Sequence, residues 1–438
     1  MGFEKEASSS SHGLTVPAEE AGSVPLLQGH PDAHRHLSSQ SKTFANIFIA
    51  IVGSGVLGLP YTFKRTGWVA GALMIFVVAA LTYHCMMLLV YTRRKLEKDL
   101  GFSKITSFGD LGLVASGQIG KFAVDVMIVL SQAGFCVSYL IFIANTLAHI
   151  ISASGDEDSS PSAFHLLRSG LISLAPKSLY IWGMFPFQLG LNSIRTLTRL
   201  APLSIFADVV DIGAMGVVMV EDVTLFLQRH QALQAFRGLS VVFYGIGVAV
   251  FAFEGIGMAL PLESEAADKA KFGKTLGVSL CFISLMYGLF GVLGYFAFGE
   301  ETRDIITNNL GKGFLTELVQ LGLCINLFFS FPLMMNPVHE VMERRFAGKR
   351  FCVWLRWAVV LGVTLVALLV PNFADFLSLV GSAVCCTLGF VLPAWFHLKV
   401  FKEEMGALQI AVDSGIIIIG LIFAIVGTWS SVAEIITA

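Results

Sequence analysis

The sequence predicts an all-α, polytopic membrane protein of eleven transmembrane helices. Three observations carry this reading. Of the 438 residues, 55% are hydrophobic and only 14% charged, where a soluble domain averages about 25% charged. Several apolar stretches exceed the roughly 18 residues that span a bilayer. Two of these stretches, far apart in the chain, are broken alike: glycines interrupt the apolar run and a proline closes it. A net charge of -2 offers no basic footprint for nucleic acid.

In chain order, residues 1–41 are polar and cannot bury enough apolar surface to fold alone, so a disordered cytosolic tail is expected. They lack the apolar core of a secretory signal. Gly2 invites myristoylation, but Glu6 stands where that motif wants Ser or Thr. Pro25-Leu26-Leu27 behind Glu19-Glu20 is a weak match to a dileucine sorting signal. A membrane domain over 42–438 follows, with spans at about 43–63, 67–91, 121–151, 178–195, 199–220, 239–262, 273–298, 314–341, 352–370, 374–397 and 407–430. Lys and Arg gather on alternate linkers, most densely at Arg93-Arg94-Lys95, Lys269 to Lys274 and Arg344-Arg345. The positive-inside bias then places the N-terminus in the cytosol and the C-terminus on the far side, with Asp156-Glu157-Asp158 outside.

The broken stretches are the first and sixth spans. In the first, Gly53-Ser54-Gly55 interrupts the run and Pro60 closes it. In the sixth, Phe253-Glu254-Gly255 interrupts and Pro261 closes. They enter the membrane from opposite sides, as an inverted repeat of five plus five spans requires: 43–220, then 239–397, with 407–430 appended. Paired breaks of this kind point to a transporter's binding site. An unwound turn frees N–H and C=O groups that hydrocarbon cannot satisfy and a polar ligand can. The half-helix after Gly55 turns its N–H groups toward the break, which suits a carboxylate; exposed carbonyls suit an ammonium. The competing reading is that the glycines only kink or closely pack the helix. Gly53, Gly55 and Gly58 also match a dinucleotide fingerprint, but no strand precedes them and the match is discarded.

Ionisable residues inside spans are functional candidates, each costing about 2.5–3.5 kcal/mol on insertion scales. Asp208 and Asp211 share a face of the fifth span. Asp208 sits roughly 13 Å from Arg199 at 1.5 Å per residue, near the midplane of a ~30 Å core. Such a pair either exchanges a proton or only accepts hydrogen bonds. Glu254 either meets the ligand's ammonium, takes a proton, or braces the unwound turn. Tyr139 in the third span either faces the site or packs. Asp125 is expected to pair with Lys121, and Asp375 and Asp413 to reach water at span ends. His84, His149 and His397 read as packing residues. Pro332 and Pro337 free carbonyls in the eighth span. The seven cysteines lie in or beside apolar stretches, so neither a disulfide framework nor a metal site is expected.

Gly53 to Pro60 (GSGVLGLP), Phe251 to Gly257 with Leu260-Pro261-Leu262-Glu263, and Phe331-Pro-Leu-Met-Met-Asn-Pro resemble the first, sixth and eighth spans of the amino acid/auxin permease family. The resemblance is to its branch of plant vacuolar neutral amino-acid transporters, relatives of the animal proton-coupled amino-acid transporters. It implies a LeuT-like fold and proton-coupled release of small neutral amino acids, such as alanine and proline, from vacuole to cytosol, with no cofactor beyond the proton gradient. It also implies that Gly53, Ser54, Gly55, Phe253, Glu254 and Gly255 bind the substrate. Asn46 stands where animal members place a functional histidine, so coupling is not carried over through that position. An uncoupled facilitator or channel, or a plasma-membrane importer, is the alternative. No metal cluster or nucleophile–base pair supports an enzyme.

Overall fold

The computed structural model describes residues 38–101, 105–154, 176–194, 201–228, 233–311, 313–348 and 350–437. The tail up to residue 37 and the acidic run 156–158 lie outside them. The described residues are helical almost throughout. Helix α1 (Gln40–Ile51), a 3-10 turn (Ser54–Gly58) and α2 (Leu59–Thr66) form the first broken segment, bent by 53°. Then come α3 (Trp68–Leu100), α4 (Phe108–Ser154), α5 (Pro176–Asn192) and α6 (Ala201–Gln228). The second broken segment is α7 (Leu239–Ala252), a 3-10 turn (Ile256–Met258) and α8 (Ala259–Glu265). It is followed by α9 (Phe272–Phe298), α10 (Phe314–Phe346) and α11 (Val353–Leu369). The end of the chain holds α12 (Phe373–Val380), α13 (Leu392–Phe401) and α14 (Ala407–Thr437).

Among the described residues, seven helices are long and apolar enough to cross a membrane, or eight if the first bent pair is one span. Helix α11 is apolar but shorter, and α5 and α6 are helical where the fourth and fifth spans are expected. Several ends differ from the sequence expectation. Helix α6 runs to Gln228 rather than 220, which brings Glu221 and Asp222 into it. Helix α4 begins at Phe108 and kinks at Gly117, whose φ of 68° suits glycine in the left-handed region. Apolar periodicity marks where hydrocarbon begins, whereas a helix continues for as long as its backbone and side chains find partners.

Helices α1, α2, α3, α7, α8 and α9 pack on one another, and α4, α5, α10 and α11 form a second group. Helix α6 lies across the junction, packed on α9 and α10. The freed carbonyl of the eighth span has a structural use: Pro332 cannot donate to Phe328 O, and Gln188 Nε2 of α5 takes that oxygen at 3.0 Å. Asp125 pairs with Arg344 of α10 at 2.8 Å instead of Lys121. Asp375 and Asp413 do not reach water. They are 3% and 2% exposed, held by Tyr244 Oη at 2.8 Å and by His397 Nδ1 at 2.6 Å. The expectation placed both at helix ends, and neighbouring helices cover those ends. His397 of α13 is thus a hydrogen-bonded residue against the packed start of α14. All seven cysteines are free thiols.

Candidate functional site

The two breaks are built alike. Each has a non-helical glycine at the break, a 3-10 turn, and a short helix with proline in its first turn: Pro60 in α2 and Pro261 in α8. They lie against each other. A Cβ on Gly55 would sit 2.9 Å from Ala252 Cα, and one on Gly255 would sit 2.9 Å from Ile51 Cγ1. These two glycines therefore let the broken helices touch. Gly53 and Gly257 differ: a Cβ at either would meet nothing within 4 Å, so both border open space. The packing role and the site role proposed for these glycines fall on different members of the set.

Tyr287 of α9 joins the breaks. Its hydroxyl donates toward Ile51 O at 3.4 Å and Ala252 O at 3.2 Å, the last carbonyls of α1 and α7. The Gly53 backbone also hydrogen-bonds this hydroxyl, and Asp211 is close enough to act on it electrostatically. The Phe253 ring packs on Tyr287 with centroids 5.1 Å apart. Helix ends leave carbonyls without intrahelical partners, and one tyrosine serves both. Sequence reasoning passed over Tyr287, although a tyrosine beside Gly288 in an apolar span is a visible interruption.

Ser54 is 5% exposed, and its Oγ has no hydrogen-bond partner among the described residues. It starts the 3-10 turn, where the first N–H groups lack intrahelical acceptors. Glu254 is half-buried, and its carboxylate accepts from the Ile256 N–H, so it braces the unwound turn. Tyr139 is buried, one turn beyond Phe135, whose ring stands 4.6 Å from that of Phe251. The structure thus gathers Gly53, Ser54, Gly55, Phe253, Glu254 and Gly255 at one crossing, with Asp211 near the tyrosine that spans it. The side chain of Asp208 lies outside the description. Beside the crossing, residues 381–385 and 387–391 wind as π-helix, a form that recurs at functional sites. A Cβ on Gly381 would fall 1.8 Å from Gly247 O, so this segment and α7 meet backbone to backbone.

Both ends of the crossing are closed. At one end Ser38 N donates to Glu265 O at 2.9 Å and Ala267 N to Ser38 O at 3.1 Å, tying the start of α1 to the end of α8. There Glu263 is fully buried. It pairs with Arg93 and, at 2.9 Å, with Arg94. At the other end Lys64 Nζ donates to Thr302 O at 3.0 Å, and the Arg65 guanidinium lies 5.1 Å over the Tyr244 ring and pairs with Glu434. Among the described residues, no group of three or more His, Cys, Asp or Glu side chains is placed to hold a metal ion.

The sequence profile of transmembrane amino acid transporter proteins matches residues 36–433. The chain belongs to that family. It is 61% identical over 439 residues to amino acid transporter AVT3C of Arabidopsis thaliana, covering 99% of each chain. It is 27% identical to vacuolar amino acid transporter 3 of Saccharomyces cerevisiae, over 95% of this chain and 59% of that one. Among solved structures it resembles MhsT in complex with L-phenylalanine, at a TM-score of 0.54 and 14% identity, covering 89% of this chain and 98% of the other. That likeness is one of fold. Family members of these names are transporters rather than enzymes, and the amino acid/auxin permease resemblance read from the three motifs is borne out.

Proposed function

We propose that this family member is a secondary transporter that moves neutral amino acids such as alanine and proline across the vacuolar membrane toward the cytosol, coupled to protons. The observation that carries the reading is the crossing of the two broken helices. Gly55 and Gly255 bring them into contact, Tyr287 holds both, Gly53 borders open space, and the buried Ser54 Oγ has no partner among the described residues. Donors at the start of the 3-10 turn suit a carboxylate. In this reading Gly53, Ser54, Gly55, Phe253, Glu254, Gly255 and Tyr139 surround the substrate. Asp208, Asp211 and Glu254 are candidate proton sites, and no other cofactor takes part. The matched construction of the breaks supports eleven spans in a five-plus-five inverted repeat, over 43–220 and 239–397, with 407–430 added. Alternating access then follows from rocking one packed group against the other. The basic linkers support a cytosolic N-terminus, with residues 1–41 as its tail, and a lumenal C-terminus. The vacuolar names of the relatives support the membrane.

The test is alanine uptake into liposomes holding the full chain, with and without a pH gradient. Accumulation toward the alkaline side that collapses with a protonophore is the expected result. Alanine that only equilibrates, whatever the gradient, would establish a facilitator instead.

A further inference from the structure

Asp222 is a carboxylate that the crossing does not use and the packing does not satisfy. It lies in the last two turns of α6. It is 0% exposed, and neither Oδ1 nor Oδ2 has a hydrogen-bond partner among the described residues. The other deeply buried carboxylates are served: Glu263 by Arg93 and Arg94, Asp375 by Tyr244, Asp413 by His397. An ionised carboxylate sealed without a partner costs several kcal/mol. The protonated acid carries no net charge and is much cheaper to bury.

Its surroundings offer no standing counter-charge among the described side chains. The helices packed on α6 are α9 and α10. On the outer half of α9 the titratable residues are Tyr287, committed to Ile51 and Ala252, and Tyr295, whose hydroxyl takes the Gln234 N–H. On the outer half of α10, Glu317 is exposed and Cys324 is a buried thiol. On the inner halves lie Lys274 and Cys281 of α9 and His339, Glu340, Glu343, Arg344 and Arg345 of α10, well along the axis from Asp222. On α6 itself Glu221 is adjacent and half-buried, and Asp211 lies about 16 Å away along the helix at 1.5 Å per residue.

The placement matters because α6 lies across the junction. Helix α9 carries the tyrosine that holds both broken helices, whereas α10 packs with α4, α5 and α11. One turn past Asp222, the Phe226 and Phe296 rings meet at 5.5 Å, so this end of α6 is fixed to α9. Lower down, Val210 abuts Gly322 of α10. Movement of α9 against α10 therefore changes the packing around α6, which carries Asp222.

We propose that Asp222 is the residue that binds the transported proton. Sealed between the two packed groups it carries the proton on a carboxyl oxygen. When α9 moves and water reaches it, that O–H bond breaks, water leaves as hydronium, and the carboxylate is recharged from hydronium when next exposed. The proposal rests on the proton-coupled reading above and names the group that performs it.

The experiment uses the full chain in liposomes with a pH gradient of one unit. It compares wild type, Asp222→Asn and Asp222→Glu for alanine accumulation and for alanine-evoked lumenal pH change. One proton per alanine sets a limit of about tenfold accumulation, since a pH unit corresponds to 1.36 kcal/mol. Asp222→Asn, which mimics the protonated acid but cannot release a proton, is expected to bring alanine only to equal concentrations and to move no protons. Asp222→Glu, which keeps a titratable carboxyl, is expected to retain both signals. Normal accumulation by Asp222→Asn overturns the proposal and leaves proton coupling intact. Failure of Asp222→Glu to restore either signal overturns it too, because a carboxyl at this place is then not what matters. A wild type that equilibrates alanine without regard to the gradient overturns the coupled reading and this assignment together.

Discussion

Glu263 and Asp222 are both fully buried carboxylates, one in the short helix after the second break and one in the last two turns of α6. Glu263 meets two guanidiniums, and Arg93 goes on to donate to Leu260 O at 3.0 Å. Asp222 meets none among the described residues. A charge that the protein neutralises permanently fixes helices to one another. A charge left to be neutralised from outside can only be quiet when it holds a proton. The same division separates the glycines of the first break: Gly55 is filled by its neighbour, and Gly53 is left open.

Removing what the protein satisfies should cost most. Glu263→Ala strands the buried Arg93 guanidinium and is expected to destabilise by about 3–5 kcal/mol, read as a large drop in melting temperature of the purified protein. Gly55→Ala forces a methyl to 2.9 Å from Ala252 Cα, a backbone atom that cannot yield, and should cost about 1–3 kcal/mol together with alanine transport. Tyr287→Phe keeps the ring against Phe253 but removes the hydroxyl from both carbonyls. A loss of about 0.5–1.5 kcal/mol is expected for the one proton the two carbonyls share, with slower alanine uptake. A melting temperature unchanged by Tyr287→Phe would show that the breaks do not depend on this clamp.

Asp304 sharpens the comparison from the loop between α9 and α10. It is satisfied by backbone rather than by a strong ion pair: Phe373 N–H donates to Oδ2 at 3.0 Å. Burial raises its pKa above the usual carboxylate value, against the pull of the backbone N–H groups and of Lys177. A group whose pKa is raised on folding adds stability below its unfolded pKa and loses it as pH climbs through the folded value. The melting temperature of the wild type should therefore gain on acidification relative to Asp304→Asn. Equal pH profiles for the two would remove Asp304 from the account. The smallest effect is expected at the open glycine. Gly53→Ala meets nothing within 4 Å at a φ of -154°, so its stability should stay within about 0.5 kcal/mol, while the added methyl should weaken alanine uptake as measured by its half-saturating concentration.

Much of this was legible from residue order alone. Apolar length gave the membrane class, because hydrocarbon admits only backbone satisfied within its own segment. Glycines followed by proline gave both breaks, because those residues act on the backbone locally. The same local signals marked Gly53, Ser54, Glu254 and the resemblance that led to the family. Partnerships were not legible. Asp125 pairs with Arg344 rather than Lys121, Asp375 and Asp413 are covered rather than wet, and Phe328 O is taken by Gln188. Each joins residues distant in the chain, and spacing along one helix says nothing of what another helix brings to it.

The sequence by itself determined that this protein is helical, lies in a membrane and unwinds at two places, since length, hydropathy and glycine–proline chemistry act through the chain's own backbone. Only the tertiary structure decided which glycine packs and which stays open, that Tyr287 ties the two breaks together, and that Asp222 is buried with no described partner. Those properties depend on what a second helix places within a few ångströms, and no single stretch of sequence carries that information.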